Sequence, residues 1–164
     1  RSTASHMKIK SSEEIARLKR SGKILSGILG RVLSEVREGV TGRELSDMAD
    51  RLIREAGGVP AFIGYGSPPF PSALCVSVNS CVVHGIPSGY KFCKGDIIGL
   101  DIGMVYETLF TDMARTVAVG PVSPREKQLI DATYASLDHA LTVIRPGATT
   151  GDIGHAVQSY IERL

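Results

Sequence analysis

Two aspartates, Asp101 and Asp112, carry the clearest chemical signal in the chain. They stand in Asp96-Ile97-Ile98-Gly99-Leu100-Asp101-Ile102-Gly103 and in Leu109-Phe110-Thr111-Asp112. Folding this stretch as a hairpin about Tyr106-Glu107 sets the two carboxylates directly opposite each other. Opposed residues of antiparallel strands bring their Cβ atoms to ~4.5–5.5 Å. Two unpaired carboxylates that close repel, unless one binds a proton or both share a cation. A shared metal ion answers that repulsion. Two aspartates on the exposed face of a surface hairpin also satisfy the spacing, and spacing alone leaves both readings open.

The elements that must position the pair follow from period and punctuation. Along the first strand, Ile98, Leu100, Ile102 and Met104 form one face, expected to be buried. Ile97, Gly99, Asp101 and Gly103 form the other, and across the hairpin Phe110, Asp112 and Ala114 share it. The carboxylates are thus expected in a shallow, small-residue clearing, since strand glycines often mark the close approach of a ligand or backbone. The turn is unusual: Glu107-Thr108 stands where Asn-Gly or Asp-Gly is typical. The opposition of the aspartates depends on that turn.

Upstream, Ser11-x-x-Glu14 has a capping-box pattern and opens a helix over about 12–36. Thr41-x-x-Glu44 opens a second, closed by Gly57-Gly58. A Gly/Pro-rich loop occupies 64–71, strand-like runs cover about 73–84, and the hairpin covers about 96–118. Ser123-Pro124 starts a third helix and Thr149-x-x-Asp152 a fourth, which runs to Leu164. Val36 to Leu45 resembles Ile144 to Ile153 at a constant offset, with a glycine and a Thr-capped helix in each copy. That repeat suggests a duplicated α/β unit whose second sheet is missing.

Composition narrows the class. The 164 residues are 43% hydrophobic and 22% charged, enough for one domain with a core. A net charge of +2 is too mild to argue for specific nucleic-acid binding. No apolar run approaches the ~20 residues that span a bilayer. Arg1 to His6 read as an expression scar before a start at Met7, leaving 7–164 as a single, incomplete domain. Cys75, Cys81 and Cys93 lack Cys-x-x-Cys spacing, so reduced thiols and a cytoplasmic location are expected. Cys81 and Cys93 are expected to pack as small buried hydrophobes. His139 and His155 are read as helix-surface residues, not ligands.

Cys81-Val82-Val83-His84-Gly85-Ile86-Pro87, followed by the two aspartates, resembles the methionine aminopeptidases, in their bacterial type I form. The Ile15, Arg17 and Gly22 helix, the Gly39-Val40-Thr41 junction, Gly64-Tyr65-Gly66, Phe70-Pro71 and Cys75 extend the likeness over residues 8–164. The resemblance implies an α/β (α+β) pita-bread domain, creatinase/aminopeptidase-like and pseudo-twofold, which agrees with the repeat. It implies removal of the initiator methionine from nascent proteins whose second residue is small. It implies two divalent metal ions (Co, Mn, Fe, Zn or Mg) held by two aspartates, a histidine and two glutamates. On this likeness Asp101 is the bidentate terminal ligand and Asp112 the bridging one. His84 is the non-ligand histidine that contacts substrate, Tyr65, Phe70 and Cys75 line the methionine pocket, and backbone oxygens at Asn79 hold a monovalent cation. The partners implied are the nascent polypeptide N-terminus and, as a candidate, the ribosome; no membrane and no specific nucleic acid are expected.

That chemistry suits these residue types. Two metal ions ~3.5–4 Å apart can activate a water and polarise a carbonyl. Hard carboxylate oxygens suit such ions. An imidazole can donate to developing negative charge, and an apolar, polarizable pocket suits a thioether. The departures are as informative. The ligating histidine of the family and its two glutamates fall after the fourth helix, so this chain carries two of the five protein ligands. Pro68-Pro69-Phe70 replaces a tyrosine-bearing loop of many relatives. The chain is therefore expected to lack the C-terminal part of the second half, to bind metal weakly and to be inactive by itself. A non-enzymatic half-protein, dimerising or binding as a scaffold, is the competing class. Prolidase-like Xaa-Pro peptidases rank third. A half-sheet with Ile97 and Phe110 uncovered is expected to self-associate, plausibly as a twofold dimer.

Overall fold

A computed structural model describes residues 9–164; the expected scar, His6 and Met7 lie outside the described residues. The chain divides into two compact units at Gly120.

The first unit opens with α1 (Ser12–Ser34) and α2 (Gly42–Glu55). Each begins with a reciprocal cap. The Ser11 and Thr41 hydroxyls accept from the Glu14 and Glu44 N–H groups, and those glutamates accept from the cap N–H groups. Such caps satisfy amides that the helix leaves orphaned, at ~1 kcal/mol each. Both helices bury one stripe against one face of a four-stranded antiparallel sheet. Leu25, Leu29, Val32, Leu45, Leu52 and Ile53 join the sheet residues in a single core.

The sheet comprises β1 (Val59–Pro60), β2 (Leu74–Val78), β3 (Ile97–Tyr106) and β4 (Leu109–Ala118), with β3 paired to all three others. The expected inner face of β3 is as read: Ile98, Leu100, Ile102 and Met104 are each 0% exposed. Burying such side chains contributes roughly 1.5–3 kcal/mol apiece, which settles which face turns inward.

The hairpin register differs from expectation. The chain turns at Glu107-Thr108, so Gly103 faces Asp112 and Asp101 faces Ala114. The aspartates are diagonal neighbours on one face, a relation that puts Cβ atoms at about 7–8 Å or somewhat less. The alternation could not reveal this, because a two-residue slip leaves every side chain on the same face. The turn decides. Turning at Tyr106-Glu107 would place an aromatic residue in the left-handed region and pull it off the core, where Tyr106 is half-buried. Glu107 and Thr108 take that conformation instead, with φ of 46° and 70°. α1 braces the tip: Arg17 donates to the Glu107 carbonyl (3.4 Å), and the Ser21 and Thr111 hydroxyls share a 2.6 Å hydrogen bond.

The strand expected over 73–84 ends at Val78. Asn79 follows at φ 53°, and the chain doubles back so that the Gly85 carbonyl accepts from the Val76 N–H at 2.8 Å. Val82 and Val83 are therefore exposed loop residues. Cys81 and Cys93 are exposed as well, a correction to their expected burial, because both lie in turns outside the sheet. Cys75, on β2, is buried.

The second unit carries α3 (Pro124–Thr142) and α4 (Thr150–Ile161), and no strand among its described residues. Ser123 and Thr149 cap them in the same reciprocal way. α4 stops at Ile161, three residues short of the expected end, with Glu162 as its cap. The repeat is geometrical as well as textual. Gly39 and Gly147 have φ of 84° and 91°, and Thr41 and Thr149 cap the helices that follow with φ, ψ of −110°, 154° and −103°, 164°.

Candidate active site

Asp101, Asp112, His84, Tyr65, Phe70 and Cys75 all line one cleft of about 530 Å³ in the first unit. Each is delivered by a different local device. β3 and β4 supply the aspartates, and Cys75 enters as the β2 residue directly paired with Asp101. His84 stands at φ 55°, just before Gly85. A Cβ on Gly85 would lie 2.2 Å from the Val76 carbonyl oxygen, so only glycine lets this loop close onto β2 and hold His84 beside the carboxylates.

The expected small-residue clearing is filled on one side. A Cβ on Gly103 would lie 2.6 Å from the Phe62 ring, so that glycine makes room for an aromatic wall. Phe62 packs edge-on against Phe70, with centroids 6.4 Å apart. Ala61 and Phe62 carry no sequence signal, since they precede the Gly/Pro-rich loop without a readable period. Phe110 also lines the cleft and is 69% exposed, as its place on the carboxylate face implied, whereas Ile97 is half-buried.

The electrostatics are those of carboxylates short of a cation. Burial first, and then the Asp112 charge, push the Asp101 carboxyl above its ordinary range, with His84 pulling the other way. Burial raises Asp112 likewise. The Oδ1 atom of Asp101 is buried without any hydrogen-bond partner. An orphaned carboxylate oxygen of this kind is costly unless something outside the chain meets it. Two hard oxygen donors on one face, one of them unmet, fit a divalent ion. They fit it incompletely, because no group of three or more metal-capable side chains exists among the described residues. Cys75 is a poor thiolate: burial, then Asp101 and Asp112, raise its thiol to about 11.

Asn79 lies outside the cleft lining. Its amide is a brace, donating to Asp96 Oδ1 (2.8 Å) and accepting from the Ile97 N–H (2.9 Å). His139 and His155 are exposed and far along the chain in the second unit, as read.

The profile of metallopeptidase family M24 matches residues 16–164. The chain belongs to that family. Methionine aminopeptidase B of Synechocystis sp. is 38% identical over 156 residues, which are 93% of this chain and 57% of that protein. The crystal structure of methionine aminopeptidase from Rickettsia prowazekii superposes with a TM-score of 0.91 at 33% identity, covering 96% of this chain and 62% of that one. That of Thermotoga maritima gives 0.91 at 35% identity, covering 96% and 63%. This M24 chain thus has the pita-bread fold and spans about three-fifths of the length of these relatives. Divalent metal ions are the family's cofactors. No helix among the described residues is long and apolar enough to cross a membrane.

Proposed function

We propose that this chain supplies the first part of a metal-dependent aminopeptidase site that removes methionine from protein N-termini with a small second residue. The observation that carries this is one cleft in which two carboxylates, an imidazole and an apolar wall converge, in a chain similar to methionine aminopeptidases. Asp101, whose Oδ1 has no partner in the chain, and Asp112 are the residues that would hold divalent metal. Bound there, such ions would supply an activated water and a polarised carbonyl. His84 orients the substrate and donates a hydrogen bond as charge develops on the scissile carbonyl oxygen. Tyr65, Phe62 and Phe70 grip the methionine side chain and exclude water. The neutral Cys75 thiol packs beneath it, and its high pKa excludes it as a nucleophile near pH 7. The backbone at Asn79, braced by the bond from its amide to Asp96, would be the place for a monovalent cation. The substrate is the N-terminus of a nascent chain, met in the cytoplasm at the ribosome.

On this reading the remaining ligands come from outside these residues, so the chain alone binds metal weakly and does not turn over. With manganese present, the whole protein that carries this chain releases methionine from Met-Ala-Ser and loses that activity in Asp101→Asn. The chain alone releases none. Whole-protein turnover that survives Asp101→Asn contradicts the assignment, and turnover by the chain alone contradicts its need for further ligands.

A second reading, a self-associating scaffold, draws on the exposed Phe110, Leu137, Leu141 and Ile144. Light scattering over a concentration series separates the two: association supports it, and a monomer at high micromolar concentration removes it.

A further inference from the structure

We infer that the groove between α3 and α4 is an anion site that takes a phosphate group. The groove measures about 510 Å³, and its walls include His139, Arg145, Asp152, His155, Ser159 and Arg163. Asp152, His155, Ser159 and Arg163 follow one another at helical spacing, so they form one face of α4 and its exit. Asp152 is the only acidic side chain in that wall, and it is committed to its own cap, accepting from the Thr149 N–H (2.7 Å) and hydroxyl (2.9 Å). Arg145 and Arg163 enter none of the ion pairs among the described residues. The His139 ring lies 5.4 Å from that of Tyr160, and the His155 ring meets the Ser159 hydroxyl at 3.2 Å.

The chain contains its own control. Because the helix–glycine–threonine motif occurs twice, each residue of the groove has a counterpart in the first unit. The counterpart of Arg145 is Arg37, which is paired with Glu35 at 2.6 Å; in the second unit the place of Glu35 is taken by Val143. The counterpart of Arg163 is Glu55, paired with Arg51 at 3.3 Å. The counterpart of His155 is Asp47. The same backbone motif therefore pairs Arg37 and Arg51 with acids in one copy. In the other, three acids have been replaced by a valine, a histidine and an arginine, and two guanidinium groups are left without ion-pair partners among the described residues.

The chemistry of the wall selects the ligand. Guanidinium groups match planar or tetrahedral oxyanions in a two-pronged fork. Two of them, with two imidazoles and a hydroxyl, exceed what the two oxygens of a carboxylate can accept. A phosphate group, with three or more oxygens and up to two negative charges, suits such a donor-rich wall better. It could reach the groove as free phosphate or as the backbone of a nucleic acid.

The test is a titration of the whole chain with inorganic phosphate at low salt, followed by backbone amide shifts. Saturable shifts confined to residues 139–163 are expected. The double variant His155→Asp/Arg163→Glu should weaken binding at least ~10-fold, the effect of removing charge-assisted contacts. It installs residues that the first copy already carries on the same helix face. Arg145→Ser, outside both helices, should also weaken it, whereas Arg37→Ser in the first unit should not. A short RNA oligonucleotide that competes, and binds more tightly per phosphate, identifies a nucleic-acid backbone; equal affinity per phosphate identifies free phosphate. Shifts that do not saturate, that spread over the first unit, or that survive both groove variants overturn the inference.

Discussion

Replacing Gly85 with alanine tests how His84 is held. The new Cβ would stand 2.2 Å from the Val76 carbonyl oxygen and 2.8 Å from its carbon, and both are backbone atoms of a buried strand. Side-chain carbons seldom come closer than 3.0 Å, so the loop must retreat by ~1 Å, with the local overpacking typically costing 1–3 kcal/mol. That movement also stretches or breaks the 2.8 Å hydrogen bond from Val76 to Gly85, worth about 1 kcal/mol net. A loss of roughly 2–4 kcal/mol is expected from the two together. His84, adjacent in the chain, moves with the loop, and an error of ~1 Å in a reacting group can cost ~100-fold in rate. Thermal unfolding reads the first effect, and the imidazole proton shifts of His84 read the second. An unchanged melting temperature with unmoved His84 resonances would mean that the loop has room the geometry denies.

Thr108→Gly should stabilise the chain by about 1 kcal/mol, since a β-branched residue at φ 70° is strained where glycine is not; chemical denaturation checks this, and destabilisation would show that the turn needs the threonine. Asp96 is a buried carboxylate pushed up by burial but held lower, on balance, by the Cys93 N–H, the Asn79 amide and the Tyr90 hydroxyl. Its native pKa lies below the ordinary 3.8, so its contribution is complete above that value and fades as pH falls through the native one. The stability difference between the native chain and Asp96→Asn should accordingly be flat near neutrality and shrink in acid, as urea titrations at several pH values would show. Thiol labelling at pH 8 should modify the exposed Cys81 and Cys93 quickly and Cys75 slowly, because burial and two carboxylates keep its proton on; three equally fast thiols would contradict the packing beneath Asp101.

Helix limits and the buried face of β3 were legible in the sequence because each leaves a periodic or capping trace; strand alternation put Asp101 and Asp112 on one face, whereas His84, Tyr65, Phe70 and Cys75 were legible only through the family resemblance. Ser11, Thr41, Ser123 and Thr149 announce their helices within a residue or two. Register was not legible, because Ile98, Leu100, Ile102 and Met104 stay inward under a two-residue slip and the choice passes to two turn residues with no glycine. β1 was missed, because two residues paired to Val105 and Met104 carry no pattern. The end of β2 was missed as well: Val82 and Val83 look like strand residues, and what stops the strand is the return of Gly85 onto Val76, a contact between residues nine apart. Cys81 and Cys93 differ from expectation because burial belongs to the position in the fold and not to the residue type: both lie in turns outside the sheet. The aromatic wall from Phe62 became visible only through the crowding at Gly103.

On the proposed reading, Asp101 and Asp112 form the metal-holding part of this cleft. The most direct measurement is a manganese titration followed by paramagnetic broadening of amide resonances. Broadening centred on Cys75, His84, Asp101, Asp112 and Ala114 is expected, with weak affinity, and abolished in Asp101→Asn and in Asp112→Asn. Broadening centred elsewhere, or unchanged in both variants, would contradict it.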